Sequence, residues 1–390
     1  MQLLLFIFLP FVAFLRSCCD LRSRVSQAVF VLFFALFGYC HTFDDIRADS
    51  HRKYLSFTTY QAESVEDIAT NFQNGEQKDI YESLLFSLVK SFTDNPHVMM
   101  MVAGLVCGIF CMLLLRRILE DRPLRLTLPV VILLMMIIIE INPVLMGGIR
   151  NFTAFPLFMY SMIRLIIDNK RWWIIGILLT PLIHFGWVVA SVAAIILYFV
   201  RLPNALLHYA ALAVCVVSLF LDTSSYAGAL DVMMDSIDNE AIADRIESYG
   251  DESVEEEFNK SLTTHLLRFN NQIGTCFVVL LLVFLRRNRE RLLQGKYINK
   301  IYKALLYFTI VGYSLISFSV VGQRFVCISM ILIYMLLLNL YESSCGKGVK
   351  GFIYALPVVF SIHILWTLYN CYCNVGWEPF LLPTPVLLML

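Results

Sequence analysis

The sequence predicts an all-α, polytopic membrane protein of about 10–12 transmembrane helices, short or re-entrant pieces included, with two large loops outside the membrane. Three observations lead there. Apolar residues make up 59% of the 390 positions and charged residues 15%, with a mean hydropathy of +0.72, which exceeds what a soluble core of ordinary proportions holds. The apolar residues are gathered into a dozen runs separated by short polar gaps. Twenty-two of the thirty acidic residues fall in two windows, Asp44 to Asp94 and Asp222 to Glu257, whereas most Lys and Arg lie in the short gaps. Short basic loops face the cytoplasm in membrane proteins, so the acidic windows are expected outside. The formal net charge of zero conceals this segregation.

Taken in order, the first run, about 1 to 15, is apolar from Met1 to Leu15, with its basic residues after it rather than before. It is expected to be a first span with the N-terminus outside, not a cleaved signal. The remaining runs are about 25 to 43, 97 to 115, 126 to 141, 152 to 167, 172 to 183, 187 to 200, 205 to 221, 271 to 285, 304 to 320, 325 to 341 and 351 to 371. The loops beginning at Arg16, Arg116, Lys170 and Arg286 carry the basic residues and are expected inside. These assignments agree only if 172 to 200 crosses twice, with a break near Thr180, Pro181 and Gly186. The chain thus divides into N-terminal spans (1–43), an outer loop with an amphipathic interfacial helix (44–96), a central membrane bundle (97–221), an acidic outer loop (222–270) and a C-terminal membrane bundle (271–390). The interfacial helix is expected over Tyr81 to Phe92, where apolar residues recur at helical spacing. The second outer loop carries twelve acids against Arg245, Lys260 and Arg268. A charged loop that merely stays out of the membrane accounts for it equally well.

Several function classes are excluded by composition. The basic residues are dispersed over short loops with no aromatic-interleaved face, so nucleic acid is not an expected partner. Six of the eleven Cys, namely Cys40, Cys107, Cys111, Cys215, Cys276 and Cys327, lie inside or at the edges of apolar runs, where Cys acts as a small hydrophobe rather than part of a disulfide framework. Cys371 and Cys373 have no partner pair at metal-ligand spacing, so no metal and no cofactor are expected.

The polar residues at the ends of apolar runs are the candidate site. Arg150, in Gly147-Gly148-Ile149-Arg150-Asn151, His184, in Leu182-Ile183-His184-Phe185, and Arg324, in Gly322-Gln323-Arg324, each fall at an outer end and are expected to converge on one membrane face. An Arg there can simply snorkel to the interface, and a His there is more often packed and hydrogen-bonded than catalytic. Both Arg sit beside Gly, where exposed backbone amides and a guanidinium fork together hold a diphosphate, which adds Gly148 and Gln323 to the binding set. Glu140, at the end of its run, serves as well as an ion partner of Arg150 or Arg324.

The stretch from Gly148-Ile149-Arg150-Asn151 through Ala154, the Lys170-Arg171 turn and Leu182-Ile183-His184 resembles the EpsG-type proteins, relatives of the Wzy polymerases of capsule, exopolysaccharide and O-antigen synthesis. Asp49-Ser-His-Arg-Lys-Tyr54, Tyr81-Glu82 and Arg324 at the start of a late span extend the resemblance over roughly 25 to 341. The chain departs from that pattern at Phe185-Gly186-Trp187, where a Ser or Ala is expected beside the His, and in the length and acidity of 222 to 270.

The resemblance implies a GT-C-like glycosyltransferase of the bacterial inner membrane with its site facing the periplasm. It would polymerise oligosaccharide repeat units carried on undecaprenyl or another polyprenyl diphosphate, without metal. A flippase and a chain-length regulator are the implied partners, beside the lipid-linked substrate and the bilayer. Cations at headgroup depth stabilise a diphosphate leaving group, which assigns Arg150 and Arg324 to it, while Asp49, His184 and Glu140, with Glu82 behind them, are the candidate bases for the acceptor hydroxyl. An O-antigen-type ligase shares most of these features. A lipid-linked glycan flippase is the non-enzymatic alternative, disfavoured because the run interiors are nearly free of charge.

Overall fold

The computed structural model describes residues 1–45, 48–77, 79–119, 126–200, 202–220, 262–316, 319–343 and 347–389. All regular structure among them is helical. The acidic window of the second outer loop therefore lies outside the described residues. The chain separates into two units, residues 1–198 with 366–390, and residues 199–365.

In the first unit, α1 (Gln2–Phe8) and α2 (Pro10–Cys18) replace the single N-terminal span expected over 1 to 15. Leu9 breaks the run with an extended backbone, and Pro10, which cannot continue a helix from its N-terminal side, starts the next one. Gln2 then meets Ser26 in the first turn of α3 (Arg24–Tyr39), through a 3.1 Å hydrogen bond. Both ends of the α1–α2 pair are thus at the start of α3. Phenylalanines bind these helices together: Phe14 stacks on Phe33 at 4.4 Å, and Phe380 of the C-terminal segment meets Phe11 edge-on at 4.8 Å.

The longest helix of this unit is α7 (Pro96–Leu119), 24 residues, or about 36 Å, enough to cross a bilayer. It packs along α3, and Gly108 permits the close approach: a Cβ there would sit 2.7 Å from the Cβ of Phe34. After α8 (Leu128–Glu140) and a 3-10 segment (Pro143–Gly148), α9 (Ile149–Met162) runs parallel to α7. Their N-terminal ends share one apolar cluster that includes Met99, Met100 and Ile149, and near their C-terminal ends Arg117 meets Asp168. The next helices, α10 (Ile174–Ile183) and α11 (Val188–Phe199), form an antiparallel hairpin, since Ser191 Oγ donates to the Ile177 carbonyl at 3.0 Å, seven residues either side of His184. The run 172 to 200 does turn back on itself. The break falls just after Thr180 and Pro181, at His184 and the 3-10 turn Phe185–Trp187 that contains Gly186.

The first acidic segment folds into α4 (Asp49–Thr59), α5 (Val65–Gln73) and α6 (Tyr81–Lys90). A capping box between Ser64 and Asp67 starts α5. The amphipathic helix expected over Tyr81 to Phe92 is α6, which buries Leu85, Phe86 and Val89 against Phe57 of α4 and the first turns of α7. Leu88 remains on its exposed side.

The second unit contains α12 (Asn204–Ser218), α13 (Leu262–Arg287), α14 (Arg289–Leu292), α15 (Lys296–Ser314), α16 (Ser319–Glu342) and α17 (Lys347–Val359). Its core is α16, whose residues Ile331 to Leu338 are fully buried. Gly312 of α15 lets α16 approach so closely that a Cβ would lie 3.1 Å from the Phe325 carbonyl. His208 of α12 hydrogen-bonds Tyr302 of α15 at 2.7 Å. A 47° bend separates α17 from α18 (Ser361–Val375), which leads to α19 (Glu378–Leu381) and α20 (Thr384–Leu387). The described cysteines are all free.

Candidate functional site

The start of α9 puts Arg150 where three elements meet. Gly147 and Gly148 lead into that helix, and their bare backbone lies against the first turn of α4: a Cβ on Gly147 would be 3.3 Å from the Ser50 amide nitrogen, and one on Gly148 would be 3.6 Å from Asp49 Oδ2. The side the glycines leave open is therefore occupied by Asp49, whose carboxylate also pairs with Arg52 one turn along.

Arg150 is held by two carboxylates. Its Nη1 donates to Asp79 Oδ2 at 3.0 Å, and its Nε lies 2.9 Å from Glu82 Oε2. Lys53 donates to both oxygens of Glu82, at 2.6 and 2.7 Å. Asp79 is almost wholly enclosed, its side chain 4% exposed against 26% for Arg150. Burial pushes the Asp79 carboxyl above the usual carboxylate range, and the neighbouring Arg150 guanidinium pulls in the opposite direction. Tyr81 lies beside this network with its hydroxyl 3.2 Å from that of Thr153, on the first turns of α9.

The hairpin turn joins the same place. The Ile80 amide donates to the Leu182 carbonyl at 3.0 Å, which ties the Asp79–Glu82 stretch to the last turn of α10. Trp187 Nε1 donates to Asn151 Oδ1 at 3.0 Å, and its ring packs on Phe158 and Phe155 of α9. Between these two anchors lies His184, buried and extended at the C-terminus of α10. Arg150, Asp49, Gly148, Glu82 and the His184 turn are thus brought to one end of the first unit. Glu140 ends α8 ten residues before Arg150 and is buried, but the carboxylates that Arg150 takes are Asp79 and Glu82. Arg324 is half-buried near the start of α16, in the second unit. The side chain of Gln323 lies outside the described residues.

Two members of the network escape a reading of the sequence as spans and gaps. Lys53 is one base in a charged loop, and Asp79 one acid in an acidic window. The usable signal was the clustering of acids at the start of a helix: Asp79 lies just before α6 and Glu82 in its first turn.

Chemically, the cluster places two cations, Lys53 and Arg150, at the end of membrane helices with carboxylates between them. A guanidinium and an ammonium that share Glu82 have the donors to hold a phosphate oxygen as well as a carboxylate. A family model described as the EpsG family matches residues 28–380. No curated protein and no solved structure matches the chain.

Proposed function

We propose that this chain, which belongs to the EpsG family, joins polyprenyl-diphosphate-linked oligosaccharide repeat units into a surface polysaccharide at the outer face of the bacterial inner membrane. Family membership supports a polysaccharide-polymerase-type role in general. The observation that carries the finer reading is Arg150, fixed between Asp79 and Glu82 at one end of membrane helices and still partly open to solvent.

In the proposed reaction a sugar hydroxyl of the acceptor attacks the anomeric carbon of the donor glycan. A new C–O glycosidic bond forms, the bond from that carbon to the diphosphate oxygen breaks, and polyprenyl diphosphate leaves with both bonding electrons. Arg150 and Lys53 exchange carboxylate contacts for diphosphate oxygens and stabilise the charge that develops there. The acceptor proton passes to a carboxylate. Asp49, more than half exposed beside Gly148, is the accessible one, while the raised Asp79 stores a proton when the diphosphate displaces it from Arg150. His184, at the hairpin turn held by the Ile80–Leu182 and Trp187–Asn151 hydrogen bonds, is the other candidate base in this reading.

The test is gel analysis of surface and lipid-linked glycan from cells lacking this chain, complemented by wild type or by Arg150→Ala. The reading expects the deletion to lose the ladder and accumulate single lipid-linked repeats facing outward, and Arg150→Ala to behave alike while remaining in the membrane. Normal chain lengths in Arg150→Ala refute the role of Arg150. Repeats trapped on the cytoplasmic face would make the chain a flippase, and an unchanged ladder would refute polymerisation.

A further inference from the structure

In the first unit, the bases Arg52, Lys53, Lys90, Arg117, Arg150 and Arg164 each meet a carboxylate. One end of the second unit is built differently. From Arg286 to Lys296 the chain carries five bases and one acid, Glu290, and among the described residues none of the five forms an ion pair. Four of these bases are exposed, and loop charges that only favour one side of a membrane require nothing more. Arg286 is the exception. It is half-buried, and its guanidinium lies over the ring of Tyr209 at 5.6 Å.

The fold fixes what surrounds it. Asn204 Nδ2 donates to Asn299 Oδ1 at 2.6 Å, and one turn further His208 Nδ1 lies 2.7 Å from the Tyr302 hydroxyl. The helices α12 and α15 therefore start side by side and run in the same direction. The end of α13 comes against this pair and lays Arg286 on Tyr209. Asn288 closes that end, its Nδ2 donating to the Phe284 carbonyl at 2.9 Å, and buried Leu292 and Leu293 hold the short α14 down. Arg289 is thus kept close to Arg286: both act electrostatically on the Tyr302 hydroxyl, and Arg286 acts on the ring of His208 as well. His208 and Tyr302 are themselves buried.

The outer side of this cluster is apolar and open. Tyr209 is 60% exposed, and Leu206, Tyr209, Ala213 and Val216 form an exposed face of α12 at helical spacing. Leu280 of α13 is exposed too. In a bilayer such a face is covered by lipid chains. An arginine that only snorkels extends past the end of its helix into water, whereas Arg286 lies across a ring on the chain-covered face of the neighbouring helix.

We propose that this edge of the second unit binds an anionic phospholipid, its phosphate on Arg286 and Arg289 and its chains along the exposed face of α12. A guanidinium fork matches two phosphate oxygens, and the Tyr209 ring holds the Arg286 fork on the side from which a lipid approaches. Preference for a net negative headgroup follows from the charges: basic clusters at a membrane surface attract anionic lipid, and Glu290 alone faces the five bases, so the ammonium of a zwitterionic headgroup meets repulsion. The site is independent of the Arg150 network and of the polymerase reading.

Full-length protein purified in detergent is titrated with phosphatidylglycerol and with phosphatidylethanolamine at constant ionic strength, and bound lipid is counted by native mass spectrometry. Three variants separate a built site from diffuse charge. Arg286→Lys keeps the charge but loses the fork, Tyr209→Leu keeps every charge but loses the ring under Arg286, and Lys347→Gln removes an exposed charge at the start of α17. Wild type and Lys347→Gln should prefer phosphatidylglycerol, with its binding about tenfold weaker in Arg286→Lys and in Tyr209→Leu. Equal binding of the two lipids by wild type overturns the proposal. Undiminished phosphatidylglycerol binding in either Arg286→Lys or Tyr209→Leu does so as well, as does a loss in Lys347→Gln equal to theirs, because only diffuse charge would then remain. Should Arg286→Lys fail to fold, Tyr209→Leu, at its exposed position, decides alone.

Discussion

Replacing Arg150 with Ala leaves Asp79 as a carboxylate with 4% of its side chain exposed and its guanidinium partner gone. Breaking a buried ion pair from one side commonly costs about 3–5 kcal/mol, because the remaining charge stays desolvated. Two features of this site reduce that figure. Arg150 is itself 26% exposed, and Lys53 still holds Glu82 at 2.6 Å, so only Asp79 is stranded. The expected loss at neutral pH is therefore about 2–3 kcal/mol. Its pH dependence has a definite sign. Burial already raises Asp79 above its ordinary value of 3.8 while Arg150 opposes the shift, so deleting Arg150 raises it further. The folded variant then binds a proton more tightly than the unfolded chain, and its stability falls as pH rises through the folded pKa. The deficit relative to wild type is consequently largest at neutral pH and shrinks on acidification. Adding Asp79→Asn removes the stranded charge and should recover most of the loss, with little remaining pH dependence. The assay is thermal unfolding in detergent micelles from about pH 8 down to pH 5, followed by thiol-reactive dye uptake at the buried Cys107 and Cys111. A deficit below about 0.5 kcal/mol, or one that does not change with pH, would refute the account of Asp79 as a buried charge held by Arg150.

Other consequences follow from the packing. Gly108→Ala puts a methyl group 2.7 Å from Phe34 Cβ and should destabilise the α3–α7 contact by about 1–3 kcal/mol, read as a lower unfolding midpoint, whereas an unchanged midpoint would mean the helices separate freely. Trp187→Phe keeps the aromatic packing on Phe158 but loses the bond to Asn151, for an expected cost of about 1 kcal/mol in the same assay, against about 3–5 kcal/mol for Trp187→Ala. In a cysteine-free background, cysteines at Ile177 and Ser191 should cross-link under mild oxidation, detected by mass; in one straight helix these positions would be about 21 Å apart and would not react.

The all-helical, membrane-protein class was legible in the sequence, because transfer of apolar surface and of charge between water and lipid depends on composition over windows of residues. The helix over Tyr81–Lys90 was legible for a similar reason: a one-sided apolar face at helical spacing must be buried against something. The parity of charged loops likewise required 172 to 200 to turn back, which the α10–α11 hairpin does. Arg150 stood out because a charged residue beside two glycines at the end of an apolar run is costly unless it is used.

Hydropathy misled at the N-terminus. Met1 to Leu15 is uniformly apolar, so nothing in its average revealed that Leu9 and Pro10 split it into two helices. Window averages are blind to the direction of the chain. The partners of Arg150 were equally hidden, since Glu140 and the pair Asp79 and Glu82 are all plausible carboxylates by charge alone. Burial of α6 against Phe57 and the first turns of α7, with the Ile80 to Leu182 hydrogen bond, brings Asp79 and Glu82 to Arg150 across some seventy residues of sequence. The same limit applies to Asp168, whose service to two arginines depends on a π-turn that no spacing rule announces. By itself the sequence determined the apolar, helical class of the protein, because hydropathy is an additive property of residues. Which charge meets which is set by long-range packing, a property of pairs, and only the tertiary structure decided it.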